Sequence, residues 1–105
     1  MECLFCKIVN KEEPATLVYE DERFVVFKDI HPKAPFHVLI VPRKHIASVA
    51  ELGEQDKELI AEMIFVAKHI AEEQKFPGYK LQFNVGRQGG QIVDHLHLHL
   101  LGYPL

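Results

Sequence analysis

The sequence predicts an α+β fold: a five-stranded antiparallel sheet with one long helix on it and a short helix at the N-terminus. Three observations predict it. Strand-like segments follow one another without helices between them, which favours antiparallel pairing. One stretch, Gly53 to Lys75, carries apolar residues at helical spacing. The run His95-Leu96-His97-Leu98-His99-Leu100 alternates with strict period two, the mark of a strand with two different faces. At 105 residues the chain, 1–105, reads as a single domain.

Taken in order, Cys3 to Asn10 predicts a short helix or turn with Leu4, Phe5 and Ile8 on one side. Leu17-Val18-Tyr19 and Phe24-Val25-Val26-Phe27 are rich in β-branched and aromatic residues, and the charged Glu20-Asp21-Glu22-Arg23 between them predicts a hairpin. Asp29 to Phe36 holds Pro32 and Pro35 and reads as a loop. His37 to Val41 is a third strand, stopped by Pro42. In the long helix, Leu59, Met63, Val66 and Ile70 make the buried stripe, flanked by Ile60, Ile64 and Ala67. Glu54, Asp56 and Glu58 suit its positive N-terminal end, and Pro77-Gly78 closes it. Tyr79 to Val85 is the fourth strand, Gly86 to Gly90 a glycine-bearing loop, and His95 to Leu101 the fifth strand.

Composition narrows the function. An apolar fraction of 48% is enough for a packed core. A net charge of −3 with a pI near 6.1 argues against bulk capture of nucleic acid, which needs clustered Lys and Arg, but not against a mononucleotide. No apolar run approaches a membrane span, and Met1-Glu2-Cys3 lacks the basic start of a secretion signal. The expected compartment is the cytoplasm, where Cys3 and Cys6 stay reduced. Seven histidines are many for this length, and three of them fall within five residues.

Alternation places His95, His97 and His99 on one strand face at intervals of roughly 7 Å, and the leucines on the other, toward the helix. Folding explains the leucines only; Thr, Lys or Glu would serve the polar positions equally well. Three imidazoles together can divide the work of phosphoryl chemistry. One attacks phosphorus, a neighbour holds a tautomer or stabilises charge, and a third contacts a phosphate oxygen. Asn84 on the neighbouring strand can orient a ring or bind a phosphate oxygen. Gly86, Gly89 and Gly90 would let backbone N–H groups approach the same phosphate. The bland alternative is a solvated strand face or a metal-binding tract rich in histidine. His69 on the helix reads as a solvated residue, and His31 has no assigned role.

The run His95-Leu96-His97-Leu98-His99-Leu100-Leu101 resembles the signature of the histidine-triad (HIT) family, and Asn84-Val85-Gly86-Arg87-Gln88-Gly89-Gly90-Gln91 resembles the loop of its Hint branch. The likeness extends to Phe5 through Pro14, to Asp29-Ile30, and to His37 through Pro42 and His45, nearly the whole chain. It implies the HIT fold and hydrolysis of nucleoside 5′-phosphoramidates, typically of purines, through a covalent nucleotidyl-histidine. His97 matches the nucleophile, His99 a phosphate contact, and His95 and His37 supporting positions. Asp29 matches an acid that accepts from ribose hydroxyls, and Phe5, Ile8, Phe27 and Ile30 match an apolar slot for the base. The resemblance implies an AMP-like purine nucleotide as ligand, with Gly90, Gln91 and the Val93 N–H against it, no organic cofactor, and a homodimer joined through the long helix and adjacent strand. Apolar residues on more than one side of that helix agree with two buried sides.

Two departures bear on substrate. Ile92 stands where many relatives have Ser or Thr, so a hydroxyl that helps protonate the leaving group is missing. The segment beyond Leu101 is short, leaving little room for a second nucleotide. The alternatives are therefore a dinucleoside-polyphosphate hydrolase of the same family, or a nucleotide-sensing module without useful turnover.

Cys3-Leu4-Phe5-Cys6 is a C-x2-C pair, open between zinc, redox chemistry and chance. No strand precedes it to open a thioredoxin-type βαβ unit. A tetrahedral zinc needs two further ligands, for which His45 and His95 are the candidates. Some bacterial HIT relatives resemble this chain in having that Cys-Cys-His-His set, which would make the zinc structural. The alternative is two reduced cysteines half-buried beside Phe5.

Overall fold

The structure is a computed structural model and describes residues 3–105; Met1 and Glu2, part of the segment read above as lacking a basic leader, lie outside them. The chain runs α1 (Leu4–Val9), β1 (Leu17–Glu20), β2 (Phe24–Lys28), β3 (Phe36–Pro42), α2 (Lys57–Glu73), β4 (Gly78–Gln82) and β5 (Leu98–Tyr103). The five strands form one antiparallel sheet in the order β1-β2-β3-β5-β4. No described helix is long and apolar enough to cross a membrane.

Alternation splits the buried residues between two layers. On one face Phe24 and Val26 of β2, Val38 and Ile40 of β3, and Leu96, Leu98 and Leu100 pack under α2 through Leu59, Met63, Ala67 and Ile70. On the other face Val25, Phe27, Leu39 and Val41 pack under α1 through Phe5, Ile8 and Val9. The helix-covered leucines are thus where period two puts them, and the histidines take the α1 side.

Three elements differ from the sequence expectation at their ends, each for a backbone reason. The fifth strand was expected from His95, but the ladder begins at Leu98, opposite Ile40. Two residues further along β3 stands Pro42, which has no N–H to give, and Leu96 instead donates to the Ile46 carbonyl at 2.6 Å. The fourth strand was expected to reach Val85 but ends at Gln82, opposite His99, because its partner runs out one residue later. The long helix was expected from Gly53 to Lys75. Its first turn, Glu54–Asp56, is 3₁₀, with the Asp56 carboxylate turned back onto the Gly53 N–H at 2.9 Å. Its α-helical part ends at Glu73, followed by Lys75 in the left-handed region (φ 58°).

Candidate active site

The face that carries α1 is not completely covered. Between α1, the β2–β3 loop and the glycine turn lies a cavity of about 600 Å³, a size that accommodates a nucleotide-like ligand. Phe5, Ile8 and Phe27 form an apolar wall, continued by Pro14, Ala15 and Leu39. Asp29 and Ile30 line it from the β2–β3 loop; Asn84, Gly90 and Val93 line it from the glycine turn; His97 and His99 form its floor.

His97 is held by one bond. Its Nδ1 lies 2.6 Å from the backbone oxygen of His95, and a carbonyl only accepts, so Nδ1 carries the proton. Nε2 therefore keeps its lone pair and has no hydrogen-bond partner among the described residues. Burial holds the ring below its ordinary pKa, so it is the neutral, nucleophilic form that occupies the site at neutral pH. Phe5 packs edge-on against it, with ring centroids 5.0 Å apart.

A second chain of bonds fixes His99. The Lys33 backbone N–H donates to His37 Nδ1 at 3.0 Å, so the proton of neutral His37 is on Nε2. That Nε2 lies 2.9 Å from His99 Nδ1 and donates to it. The remaining proton of His99 is then on its Nε2, a buried donor with no partner among the described residues. An orphaned buried donor costs about 1–3 kcal/mol, which an anionic ligand would recover. Burial pushes His99 down to about 4, with the neighbouring His97 and His37 rings adding to the effect, so the relay is neutral at pH 7. Burial likewise lowers His37, against the pull of Asp29, whose Oδ2 is 3.5 Å from its Nε2. The other Asp29 oxygen accepts from the His31 N–H at 2.9 Å.

The glycine turn differs from the sequence expectation. Gly86 donates to Gln91 Oε1 (3.0 Å), Gly89 to the Gly86 carbonyl (3.1 Å) and Gly90 to the Arg87 carbonyl (3.0 Å), so all three amides are engaged within the turn and none is offered to a phosphate. The amides of Ile92 and Val93 have no acceptor among the described residues, and both residues line the cavity. Gly90 is glycine for its φ of +91°. Gln91 lies beneath the turn rather than on the cavity wall. Its amide bonds Gly86, the Ala47 carbonyl (2.7 Å) and the Val93 carbonyl (2.9 Å). Asn84 does line the cavity; its oxygen accepts from Gln82 at 2.8 Å, leaving its amide N–H groups toward Gly90.

Sequence reasoning did not single out Leu39, Pro14, Ala15 or the lysines Lys28 and Lys33 of the cavity wall. Period two would have found Leu39, which shares its strand face with His37.

His95, grouped with the catalytic histidines from sequence, has its ring elsewhere. Its Nε2 donates to the Pro42 carbonyl at 2.8 Å, which leaves Nδ1 bare. That nitrogen faces Cys3 Sγ at 3.4 Å, Cys6 Sγ at 3.5 Å and His45 Nδ1 at 3.2 Å, and Cys6 Sγ is 3.2 Å from His45 Nδ1. All four ligand atoms lie within 4.8 Å of one another. The edges of a tetrahedron around zinc with nitrogen and sulfur ligands are about 3.4–3.8 Å, so this donor set fits that ion. Burial and the adjacent Cys3 sulfur push the Cys6 thiol above its ordinary pKa; a bound cation reverses that and deprotonates its thiol ligands. A second group, Asp29, His37 and His99, also converges. It does not fit a metal, because the Lys33 N–H occupies His37 Nδ1 and puts the proton on the nitrogen that would have to ligate.

An antiparallel sheet between a long and a short helix, with an alternating His-Leu run leading into the strand beside its central one, defines a class. The chain matches the family model described as scavenger mRNA decapping enzyme C-term binding over residues 2–105. It is 43% identical over 104 residues to Protein HitA of Neisseria gonorrhoeae, covering 98% of this chain and 97% of that one. It is 42% identical over 103 residues to the purine nucleoside phosphoramidase of Escherichia coli K12, covering 96% and 87%. Among solved structures it superposes on a HIT family hydrolase of Legionella pneumophila with a TM-score of 0.95 at 48% identity, covering 99% and 95% of the two chains. A histidine triad protein of Clostridium difficile gives 0.94 at 41% identity, covering 100% and 93%. The chain belongs to the histidine-triad family.

Proposed function

We propose that this protein is a nucleotide hydrolase that cleaves the P–N bond of purine nucleoside 5′-phosphoramidates through a nucleotidyl-histidine. One observation carries the reading: His97 is neutral, its Nδ1 is tied to the His95 carbonyl, and its bare Nε2 is left for the cavity. The similarity to a purine nucleoside phosphoramidase supports it.

In this mechanism the base rests against Phe5, Ile8, Phe27 and Ile30, and the ribose hydroxyls donate to Asp29. The α-phosphate takes hydrogen bonds from His99 Nε2–H, the Val93 N–H and the Asn84 amide. His97 Nε2 attacks phosphorus, the P–N bond breaks, and the amine leaves. Water then attacks the nucleotidyl-histidine, releasing the nucleoside monophosphate and restoring the lone pair on Nε2. Two displacements replace one difficult substitution, and the fixed donors stabilise charge without reorganisation. Among the described residues no side-chain hydroxyl lines the cavity, and Ile92 stands at its mouth, so no hydroxyl is there to pass a proton to the departing amine.

Cys3, Cys6, His45 and His95 would hold a zinc ion with no open position, a structural rather than catalytic site. A second copy of the chain would cover the edge strand β4, where Tyr79 and Leu81 are exposed on the α2 side of the sheet, and the outer residues Ile64 and Phe65 of α2.

Turnover of adenosine 5′-phosphoramidate and of a dinucleoside polyphosphate, measured side by side on the purified protein, tests the reading. AMP release from the first, lost in His97→Ala, is expected. Preference for the second would assign the chain to the other branch, and tight AMP binding without turnover of either would make it a sensor.

A further inference from the structure

The two cysteines bracket a residue of the cavity wall. Cys3 caps the first turn of α1, its sulfur accepting from the Cys6 N–H at 3.4 Å, and Phe5 lies between them. The Phe5 ring stands 5.0 Å from His97, 5.2 Å from Phe27 and 6.1 Å from His95. His95, in turn, reaches the cysteines with its ring and His97 with its carbonyl. The cysteine–histidine cluster and the cavity therefore share two residues' worth of structure: Phe5 on one route and the His95 backbone on the other.

A helix of six residues has little stability of its own. What holds α1 against the sheet is the packing of Phe5, Ile8 and Val9, and whatever joins its first turn to His45 and His95. Phe5 and Ile8 are also cavity wall. An ion that ties Cys3 and Cys6 to His45 and His95 fixes the wall and the His95 carbonyl in one step.

We propose that the Cys3–Cys6–His45–His95 cluster positions the nucleotide site, so that a divalent cation bound there and a nucleoside monophosphate bound in the cavity tighten each other's binding. The proposal rests on the reading of this cluster as a zinc site, and adds that the site is energetically coupled to the cavity. His95 is on this account a positioning residue, acting on the nucleophile through its carbonyl. Coupling of this kind is reciprocal: the factor by which zinc raises affinity for AMP equals the factor by which AMP raises affinity for zinc.

The test uses the whole protein, kept reduced with a phosphine and stripped of metal by a chelator. AMP affinity is measured by calorimetry with and without one equivalent of zinc(II), and zinc affinity by competition with a chromogenic chelator with and without saturating AMP, corrected for zinc binding by AMP itself. Both affinities are expected to rise by the same factor, about tenfold, within the 5–150-fold range of such couplings. A ¹⁵N spectrum of the histidines gives a readout that general stabilisation would not move: zinc added without nucleotide should drive His97 toward the single tautomer with Nδ1 protonated. Zinc binding with unchanged AMP affinity overturns the coupling and leaves the zinc site standing. Absence of zinc binding overturns both. Should the metal-free chain lose its fold, the comparison moves to His45→Ala, which keeps Cys3, Cys6 and His95, titrated with chelator only over the range in which circular dichroism shows the fold intact. AMP affinity that falls with zinc occupancy is the expected result, and AMP affinity independent of occupancy the contradicting one.

Discussion

His37 Nε2 lies 2.9 Å from His99 Nδ1, and the two rings form a relay whose proton positions are set by a backbone amide, that of Lys33. His37 itself is not on the cavity wall. Its Nε2–H puts the proton of neutral His99 on the far nitrogen, a buried donor without a partner among the described residues.

Replacing His37 by Ala should free the His99 tautomer and leave its Nδ1 buried without a donor. A buried group so orphaned costs about 1–3 kcal/mol, or roughly 5–150-fold if the loss falls on the transition state. The expected outcome is a fall of that order in kcat with a smaller change in KM, measured on adenosine 5′-phosphoramidate.

Acid should weaken the fold through the same rings. His99 titrates at about 4 in the folded protein against an ordinary 6.5, and burial also lowers His37 and His97. The unfolded chain therefore binds protons that the folded one refuses. The stabilisation is complete above pH 6.5 and is lost as pH falls from there through 4. Melting temperatures should fall steadily over that window. Activity should fall as well, because a doubly protonated His99 would set its Nδ1–H against the His37 Nε2–H. A melting temperature that is flat from pH 7 to pH 4 would contradict this.

Gln91→Ala removes three hydrogen bonds from beneath the glycine turn. With buried partners left unpaired, a stability loss of about 2–4 kcal/mol is expected, read from denaturant unfolding. The loss of kcat/KM should exceed that of a stability-matched core variant such as Leu100→Ala, because Gln91 sets the positions of Gly86 and Val93.

Ile92→Ser returns a hydroxyl to the cavity mouth. It should raise kcat on phosphoramidates with poorly leaving alkyl amines several-fold, with little effect on those with good leaving groups. AMP affinity should stay the same. An equal change on both substrate types would remove Ile92 from the account of leaving-group chemistry.

What the sequence made legible was what period and composition control. The alternation from His95 to Leu100 separated the histidine face from the leucine face under the long helix, and the spacing of Leu59, Met63 and Ile70 located that helix. The residues of the cavity floor and the glycine turn were legible only as types. Whether Gly89 and Gly90 offer their amides outward depends on the closure of the turn on itself, which no residue pattern states. The ring direction of His95, away from His97, is set by the Pro42 carbonyl, a backbone group 53 residues away in the chain. The tautomers of His97, His37 and His99 depend likewise on the backbone of His95 and Lys33, and carbonyls and amides leave no trace in residue identity.

The most direct test is to trap the intermediate. Protein mixed with a slowly hydrolysed adenosine 5′-phosphoramidate, quenched within the first turnover and digested, should carry one nucleotidyl group on the peptide containing His97, labile to acid and absent from His97→Ala. Full turnover by His97→Ala, or a first turnover that leaves every histidine unmodified while AMP is released, would contradict the account.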